Sequence, residues 1–361
     1  MLFHQQSLDA IMGRAKVEGI LFWSLENIRY LCGFSGSDGV LIVVGQERTF
    51  LSDSRYEEQA RAEVRDASFR KYTRKVEGLV RFIKSLRVKR LGFESAVLPY
   101  DVYSRIKEKL PRVSFVPLAE EIAGLRIRKE PGEVENIRGA IRIASEGFSN
   151  TLGLLKPGVR ERAFAERLEC RMRGRGGERI AFDTIVASGT RAALPHGVAS
   201  EKRILKGETV VVDFGVRYKG YCSDETKTLV LGKPSIEQRK VYEVVRRAQE
   251  RAIGAIRPGV SVRQIDAAAR EVIARAGYGK FFGHGTGHGV GLAVHEEPTV
   301  SPRGRGVAEE GMVFTVEPGI YIPAWGGVRL EDMVLVTARG CEILTVLSKD
   351  IKDNICVPRE S

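Results

Sequence analysis

Residues 8–19 carry apolar side chains at helical spacing, and ILFWSL (20–25) then reads as a buried strand. Asn27–Phe34 follows, and GVLIVV (39–44) and RTFLSD (48–53) predict two further strands joined at Gly45. YEEQARAEV (56–64) and VEGLVRFIKSL (76–86) return to helical spacing. RLGFES (90–95) predicts a strand, and DVYSRIKEKL (101–110) a helix that stops before Pro111. Helices and strands alternating in this way predict a complete α/β domain over residues 1–125, in which no catalytic constellation is visible.

LRIRKEPGEVE (125–135) reads as the seam to a second domain, residues 126–361. Pro131 suits the first position of a helix, and Val134, Ile137, Ile141, Ala144, Phe148, Leu152 and Leu155 continue it near helical period. The second domain contains an internal repeat. LLKPGVRE (154–161) recurs as AIRPGVSV (255–262), each copy leading into a predicted helix (162–173 and 262–275). GETVVVDFG (207–215) then matches GMVFTVEPG (311–319), which brings Asp213 into register with Glu317. Two similar half-units packed about a pseudo-two-fold axis would bring such acids face to face.

Composition changes this picture only at the margins. Hydrophobic residues make up 43% and charged residues 29%, the balance of an ordinary globular chain. No apolar run approaches the ~20 residues a bilayer span needs, and the opening residues lack the basic end and apolar core of a secretory signal, so no membrane or export role is expected. The net charge of +12 is spread along the chain among acids and is joined to no nucleic-acid motif, so no nucleic-acid partner is expected. Five scattered cysteines without paired spacing read as reduced thiols of a cytoplasmic protein.

The candidate chemistry gathers in Gly283–Pro298, GHGTGHGVGLAVHEEP, which holds three of the five histidines: His284, His288 and His295. Glycine at every second position from Gly283 to Gly291 predicts an extended strand with His284, Thr286, His288 and Val290 on one face. Its bare opposite face should meet another backbone closely. His196 follows the first repeat's helix much as His295 follows the second's. Asp213 ends the apolar run VVVDFG, and a hairpin turning near Tyr218–Gly220 would set it opposite, or nearly opposite, Asp224. Glu317 and Glu331 also lie at the ends of apolar strands. Four carboxylates with a histidine make an oxygen-rich site for two divalent ions sharing bridging ligands. Such a set suits manganese, cobalt or ferrous iron better than the closed tetrahedron of structural zinc, with zinc an alternative.

The ordered set VVDFG–GYCSDETKT, PHG, GHGTGHGVGL, HEEP, EPGIY and VRLEDMVLV resembles the metallopeptidase family that contains methionine aminopeptidase, aminopeptidase P and prolidase. NIRYLCGFSGSDGVLIVV and LSDSRYEEQA resemble the amino-terminal domain of its Xaa-Pro peptidases. The resemblance implies a pita-bread catalytic domain, a duplicated α/β fold around a dinuclear metal site. It implies Asp213, Asp224, His288, Glu317 and Glu331 as metal ligands, with Glu317 also moving the proton of the attacking water. It implies His196, His284 and His295 as residues that orient substrate and stabilise the tetrahedral intermediate, Arg329 as support for a ligand carboxylate, and Phe182 and Tyr321 in the substrate pocket. Lys227 stands where the family often has arginine. The implied reaction is hydrolysis of dipeptides with proline in the second position. The alternatives are aminopeptidase P activity on longer Xaa-Pro peptides, the metal-independent chemistry of creatinase, and a non-catalytic binding protein of the same fold. A dipeptidase also needs a cap for the substrate's free carboxylate, for which His196 and Arg191 are the candidates. A homodimer is implied as well.

Overall fold

The central strands of the first sheet are buried on both faces, which is why they read as unbroken apolar runs. In β1 (Gly19–Phe22), Ile20 and Phe22 enter one core and Leu21 the other. The structure is a computed structural model describing residues 2–356. The chain divides into two units, one ending at Arg126 and the other beginning at Ile127. In the first, β2 (Val40–Val44), β3 (Glu47–Ser52), β4 (Ser68–Lys71), β5 (Arg90–Glu94) and β6 (Ser114–Leu118) join β1 in the order β4-β3-β2-β1-β5-β6. α1 (Leu2–Ala15), α2 (Leu25–Cys32) and α3 (Glu57–Glu63) contribute to the core on one face. α4 (Lys75–Leu86) and α5 (Tyr100–Lys109) cover the other, and the short α6 (Glu120–Ala123) returns to the first.

Two expectations change here. ILFWSL does not run as a strand to Leu25, because the Ser24 side chain accepts from the Asn27 amide and starts α2. Ile28, Leu31 and Cys32 of that helix are buried. β4 carries no apolar alternation: it is the sheet's edge and is largely exposed, so the hydrophobic pattern had nothing to register.

The second unit opens on α7 (Pro131–Leu152), with Pro131 at its start and a reciprocal capping box between Glu130 and Glu133. α8 (Glu161–Gly174) follows, then β7 (Arg179–Ile180), β8 (Ile185–Ser188), β9 (Thr209–Phe214), β10 (Val216–Tyr218), β11 (Tyr221–Cys222) and β12 (Glu225–Leu231). The second half repeats the plan with α9 (Ile236–Ile253), α10 (Val262–Arg275), β13 (Gly287–Gly289), β14 (Glu296–Val300), β15 (Val313–Val316), β16 (Gly319–Ile322), β17 (Gly326–Arg329), β18 (Asp332–Val336) and β19 (Cys341–Ile343). β20 (Ile355–Cys356) then pairs in parallel with β12. Each half thus has a helix pair packed on a sheet with its own hydrophobic core. Among the described residues, no helix is long and apolar enough to cross a membrane.

Register fixes where the acids go. β9 pairs antiparallel with β12, Asp213 opposite Thr226 and Phe214 opposite Glu225, and the β10–β11 hairpin continues the same register at Arg217–Cys222. Its turn is Lys219–Gly220, both at positive φ (47° and 87°), the geometry a tight two-residue hairpin demands. Asp224 therefore lies diagonally across from Asp213 on the same face. In the second half, Val316 faces Asp332 and Gly319 faces Arg329, so the next step along that register sets Glu317 against Glu331.

Candidate active site

The Gly-rich segment is a strand only at Gly287–Gly289, with a register shift between His288 and Gly289. Its close approach to other backbones is as expected: a Cβ on Gly287 would lie 1.9 Å from the Thr315 carbonyl oxygen, and one on Gly289 2.1 Å from that of Glu297. The expectation of one continuous face needs correcting. His284 and His288 line a common cavity, whereas Thr286 turns inward and donates to Asp266 at 2.8 Å, and Val290 is buried in a core. Residues 283–286 lie outside the strand, so alternation does not govern Thr286, and the shift at His288–Gly289 breaks it beyond that point.

That cavity encloses about 470 Å³. It is walled by Phe182, Asp183 and His196 from the first half, by Asp213 and Asp224, by His284, His288 and His295, and by Glu317, Arg329 and Glu331. Asp224, His288 and Glu331 each offer a ligand atom, all within 4.8 Å of one another. His288 Nε2 lies 3.4 Å from Glu317 Oε1 and 3.6 Å from Asp224 Oδ2. Its Nδ1 is 3.1 Å from the Gly289 carbonyl, which can only accept, so Nδ1 carries the proton and Nε2 turns a lone pair toward the acids. Burial lowers the pKa of His288 and favours that neutral state.

The acids are under electrostatic stress. Burial raises the pKa of Asp224 and Glu331 well above the carboxylate range, and their acidic neighbours add to the effect. Burial also raises Glu317. Arg329, itself buried, donates to Asp213 Oδ2 at 2.7 Å, to Thr226 Oγ1 at 3.0 Å and to the Pro195 carbonyl at 2.8 Å. Thr226 passes the contact on, donating to Glu331 Oε2 at 2.6 Å. Asp213 Oδ1 is buried without a hydrogen-bond partner. Unpartnered carboxylate oxygens facing other acids are what a divalent cation would satisfy, and an oxygen-rich set with one imidazole fits such ions.

The three other histidines differ in freedom. His284 Nδ1 donates to the Gly285 carbonyl at 2.7 Å, and Nε2 is 2.8 Å from Tyr321 Oη, which receives Arg329 at 3.0 Å. Both its nitrogens are engaged. Tyr321 stands behind the wall and reaches the cavity through His284. His196 and His295 line the cavity, and the His295 ring lies 4.2 Å from that of His288. Arg191 does not join them. Its guanidinium is bound to Glu161 Oε2 at 3.0 Å and the Val198 carbonyl at 2.6 Å, outside the cavity wall, so it is not a carboxylate cap in this geometry. Two further residues join the site: Thr226, through Glu331, and Asp183, on the wall. Thr226 had a signal, since two residues past Asp224 on a strand is the same face; Asp183 had none.

An antiparallel-sheet duplication with acids at matched strand ends is the pita-bread architecture, and the chain belongs to metallopeptidase family M24: residues 135–338 match that family. Residues 5–128 match the Creatinase/Prolidase N-terminal domain. The chain is 40% identical to the Xaa-Pro dipeptidase of Pyrococcus furiosus over 351 residues, covering 96% of this chain and 98% of that protein. Its structure resembles that of an Xaa-Pro dipeptidase from Bacillus anthracis, with a TM-score of 0.93 at 39% identity over 98% of this chain and 99% of that one. It also resembles an X-Pro aminopeptidase from Thermotoga maritima, with a TM-score of 0.89 at 37% identity and the same coverage.

Proposed function

We propose that this protein is a metal-dependent Xaa-Pro dipeptidase, cleaving the bond between an amino-terminal residue and a following proline. One observation carries the reading: Asp224, His288 and Glu331 converge, with ligand atoms within 4.8 Å of one another, in a buried cavity whose acids outnumber its cations. Asp213, Asp224, His288, Glu317 and Glu331 would hold two divalent ions. Mn2+ is our assignment, with Co2+, Fe2+ and Zn2+ as the alternatives to be tested. When bound, such ions acidify a water molecule near neutral pH and offset the charge developing on the scissile carbonyl oxygen.

The remaining roles belong to the chain's own side chains. Glu317 Oε accepts the proton of the attacking water and returns it to the proline nitrogen, which must leave as an amine. His295 and His196 turn toward substrate from opposite halves, and His295 is our donor to the carbonyl oxygen. His196 meets the substrate carboxylate, and Phe182 packs against the substrate side chains. Arg329 keeps Asp213 fixed, and His284 keeps Tyr321 in place.

The dipeptidase names of the Pyrococcus furiosus and Bacillus anthracis proteins support this substrate class. The Thermotoga maritima aminopeptidase, similar over the same length, favours the second reading, release of the first residue from longer Xaa-Pro peptides. The deciding experiment is hydrolysis of Xaa-Pro peptides of increasing length, after chelation and readdition of each metal. A dipeptidase prefers the shortest, an aminopeptidase the longer ones, and no hydrolysis with any metal would defeat both. The same reading takes the protein to be a cytoplasmic homodimer; its free thiols suit a reducing compartment, and light scattering tests the assembly.

A further inference from the structure

Neither Glu161 nor Asp266 touches the cavity, yet both are buried acids on the second helix of their half, at 0% and 1% exposure. Glu161 gathers five donors: the Ser188 amide and hydroxyl, each at 2.8 Å, the Ser200 amide and hydroxyl at 3.2 and 2.6 Å, and Arg191 Nε at 3.0 Å. Arg191 continues to the Val198 carbonyl. One carboxylate thus ties both ends of the loop carrying His196, and its arginine grips the chain two residues beyond that histidine.

The second half has the same device. Asp266 accepts from the Thr286 amide and hydroxyl at 3.1 and 2.8 Å and from Arg270 Nε and Nη2 at 2.9 and 2.8 Å. Arg270 continues to the carbonyls of Phe282, at 3.0 Å, and of His284 itself, at 2.8 Å. The acids are not at equivalent positions. Glu161 lies 4 residues after Pro157 and Asp266 8 after Pro258, one helical turn further along the same face. The arginine comes from the loop in one half and from the helix in the other. Matching function built from non-matching positions is not what a shared fold alone would leave behind.

We propose that Glu161–Arg191 and Asp266–Arg270 are paired latches, one per half, acting as positioning residues that fix the backbone beneath His196 and His284. The proposal rests on the functional reading above for its effect on catalysis, but not for its effect on the histidines. Arg191→Lys and Arg270→Lys keep the charge beside each acid and lose the planar fork that reaches the carbonyl as well.

The test has two readouts. The first is independent of activity: imidazole NMR of a chain with five histidines. Arg191→Lys should shift or broaden the His196 signal and spare that of His284, and Arg270→Lys should do the reverse. The second is kinetic, in metal-loaded enzyme of unchanged metal content. Arg191→Lys should raise KM for an Xaa-Pro dipeptide about tenfold and shrink the preference for a free carboxylate, because it acts through His196. Arg270→Lys should lower kcat about tenfold and leave that preference intact. If either lysine variant folds poorly, the charge-free pairs Glu161→Gln with Arg191→Met and Asp266→Asn with Arg270→Met repeat the measurement without an orphaned buried acid. Histidine signals that stay in place in every folded variant overturn the latches, whatever the enzyme does. Unchanged kinetics with displaced signals overturn their catalytic role. An inactive parent with displaced signals defeats the functional reading and leaves the latches standing as structural devices.

Discussion

Two faces of the same pair of strands hold acids in opposite ways. Asp224–Glu225 and Glu331–Asp332 are adjacent acid pairs at the starts of β12 and β18, and strand alternation sends one member of each to either face. Asp224 and Glu331 enter the cavity, joined by Glu317 and Asp213, and among the described residues the one lysine or arginine on its wall is Arg329, which is bound to Asp213. Glu225 and Asp332 go to the back, where Lys349 meets them at 2.5 and 2.9 Å, Thr345 donates to Asp332, and Lys227 lies close by. The back carries its own cations. It holds a second lysine as well: Lys227 Nζ is buried without a hydrogen-bond partner, and burial followed by the nearby Lys349 lowers its pKa to about 7. The number of carboxylates is therefore not what marks the front as a metal centre. What marks it is that, among the described residues, four acids there share one arginine.

The largest effect expected is on the front. Asp213→Ala or Glu331→Ala should lower hydrolysis by roughly three orders of magnitude or more and lower metal content with it, because each removes a carboxylate that would hold metal. His288→Ala should also lose metal, whereas His295→Ala should retain it and lose turnover by about a hundred- to a thousandfold. Elemental analysis of the purified variants beside steady-state kinetics checks this. Full activity in metal-free Asp213→Ala would end the dinuclear reading.

The back should fail by a different route. Lys349→Met strands Glu225 and Asp332 in a buried setting, a change that costs about 3–5 kcal/mol of stability. Urea unfolding measures it, and added manganese should not repair it, because the cation lost is not at the metal centre. Converting Glu225→Gln and Asp332→Asn in the same variant should recover most of the loss. Rescue of Lys349→Met by manganese alone would erase the distinction between the faces.

This contrast was only half legible in the sequence. The acids at strand ends announced themselves, since a carboxylate closing VVVDFG or MVFTVE is costly without a partner. The repeat brought Asp213 and Glu317 together, and the hairpin turn fell where Lys219–Gly220 puts it. Lys349 gave no signal: it reaches Glu225 from 124 positions away, through a C-terminal segment with no period of its own. Arg191 misled for a related reason. Five residues before His196, it looked like part of the same pocket, but local spacing says nothing about which buried acid, 30 positions upstream, will claim a guanidinium. Side-chain pairing over long separations is a tertiary fact, and one chain read alone shows only the candidates.

A pH series sharpens the comparison further. Burial holds Asp224, Glu317 and Glu331 above the ordinary carboxylate range in the metal-free protein. The folded state therefore keeps protons that the unfolded chain releases above pH ~4. The sign follows: stability is greatest at the acid end of this window and falls as pH rises toward the raised values, by about 1.4 kcal/mol per pH unit for each proton retained. Metal must displace those protons, so its affinity should climb with pH. Unfolding of chelated protein at about pH 5 and about pH 8, beside Glu331→Gln, tests the slope; the variant should flatten it. A slope that Glu331→Gln leaves unaltered would show that the front acids are not the source.

The smallest expected effect separates dipeptidase from aminopeptidase, and the structure narrows it. A dipeptide ends in a free carboxylate one residue beyond the scissile bond, so a dipeptidase needs a donor there, and an aminopeptidase needs open space. Of the two candidate caps, Arg191 is committed to Glu161 and the Val198 carbonyl, leaving His196 on the wall. One donor to a carboxylate is worth less than a charged fork, at the low end of the 1.5–3 kcal/mol typical of charge-assisted bonds. Amidating the proline carboxylate should then lower kcat/KM about tenfold in the native enzyme. In His196→Ala the acid and the amide should converge, since the group that told them apart is gone. Equal rates on the two substrates in the native enzyme would mean that His196 caps nothing, and the cavity would then be better understood as the open end of an aminopeptidase.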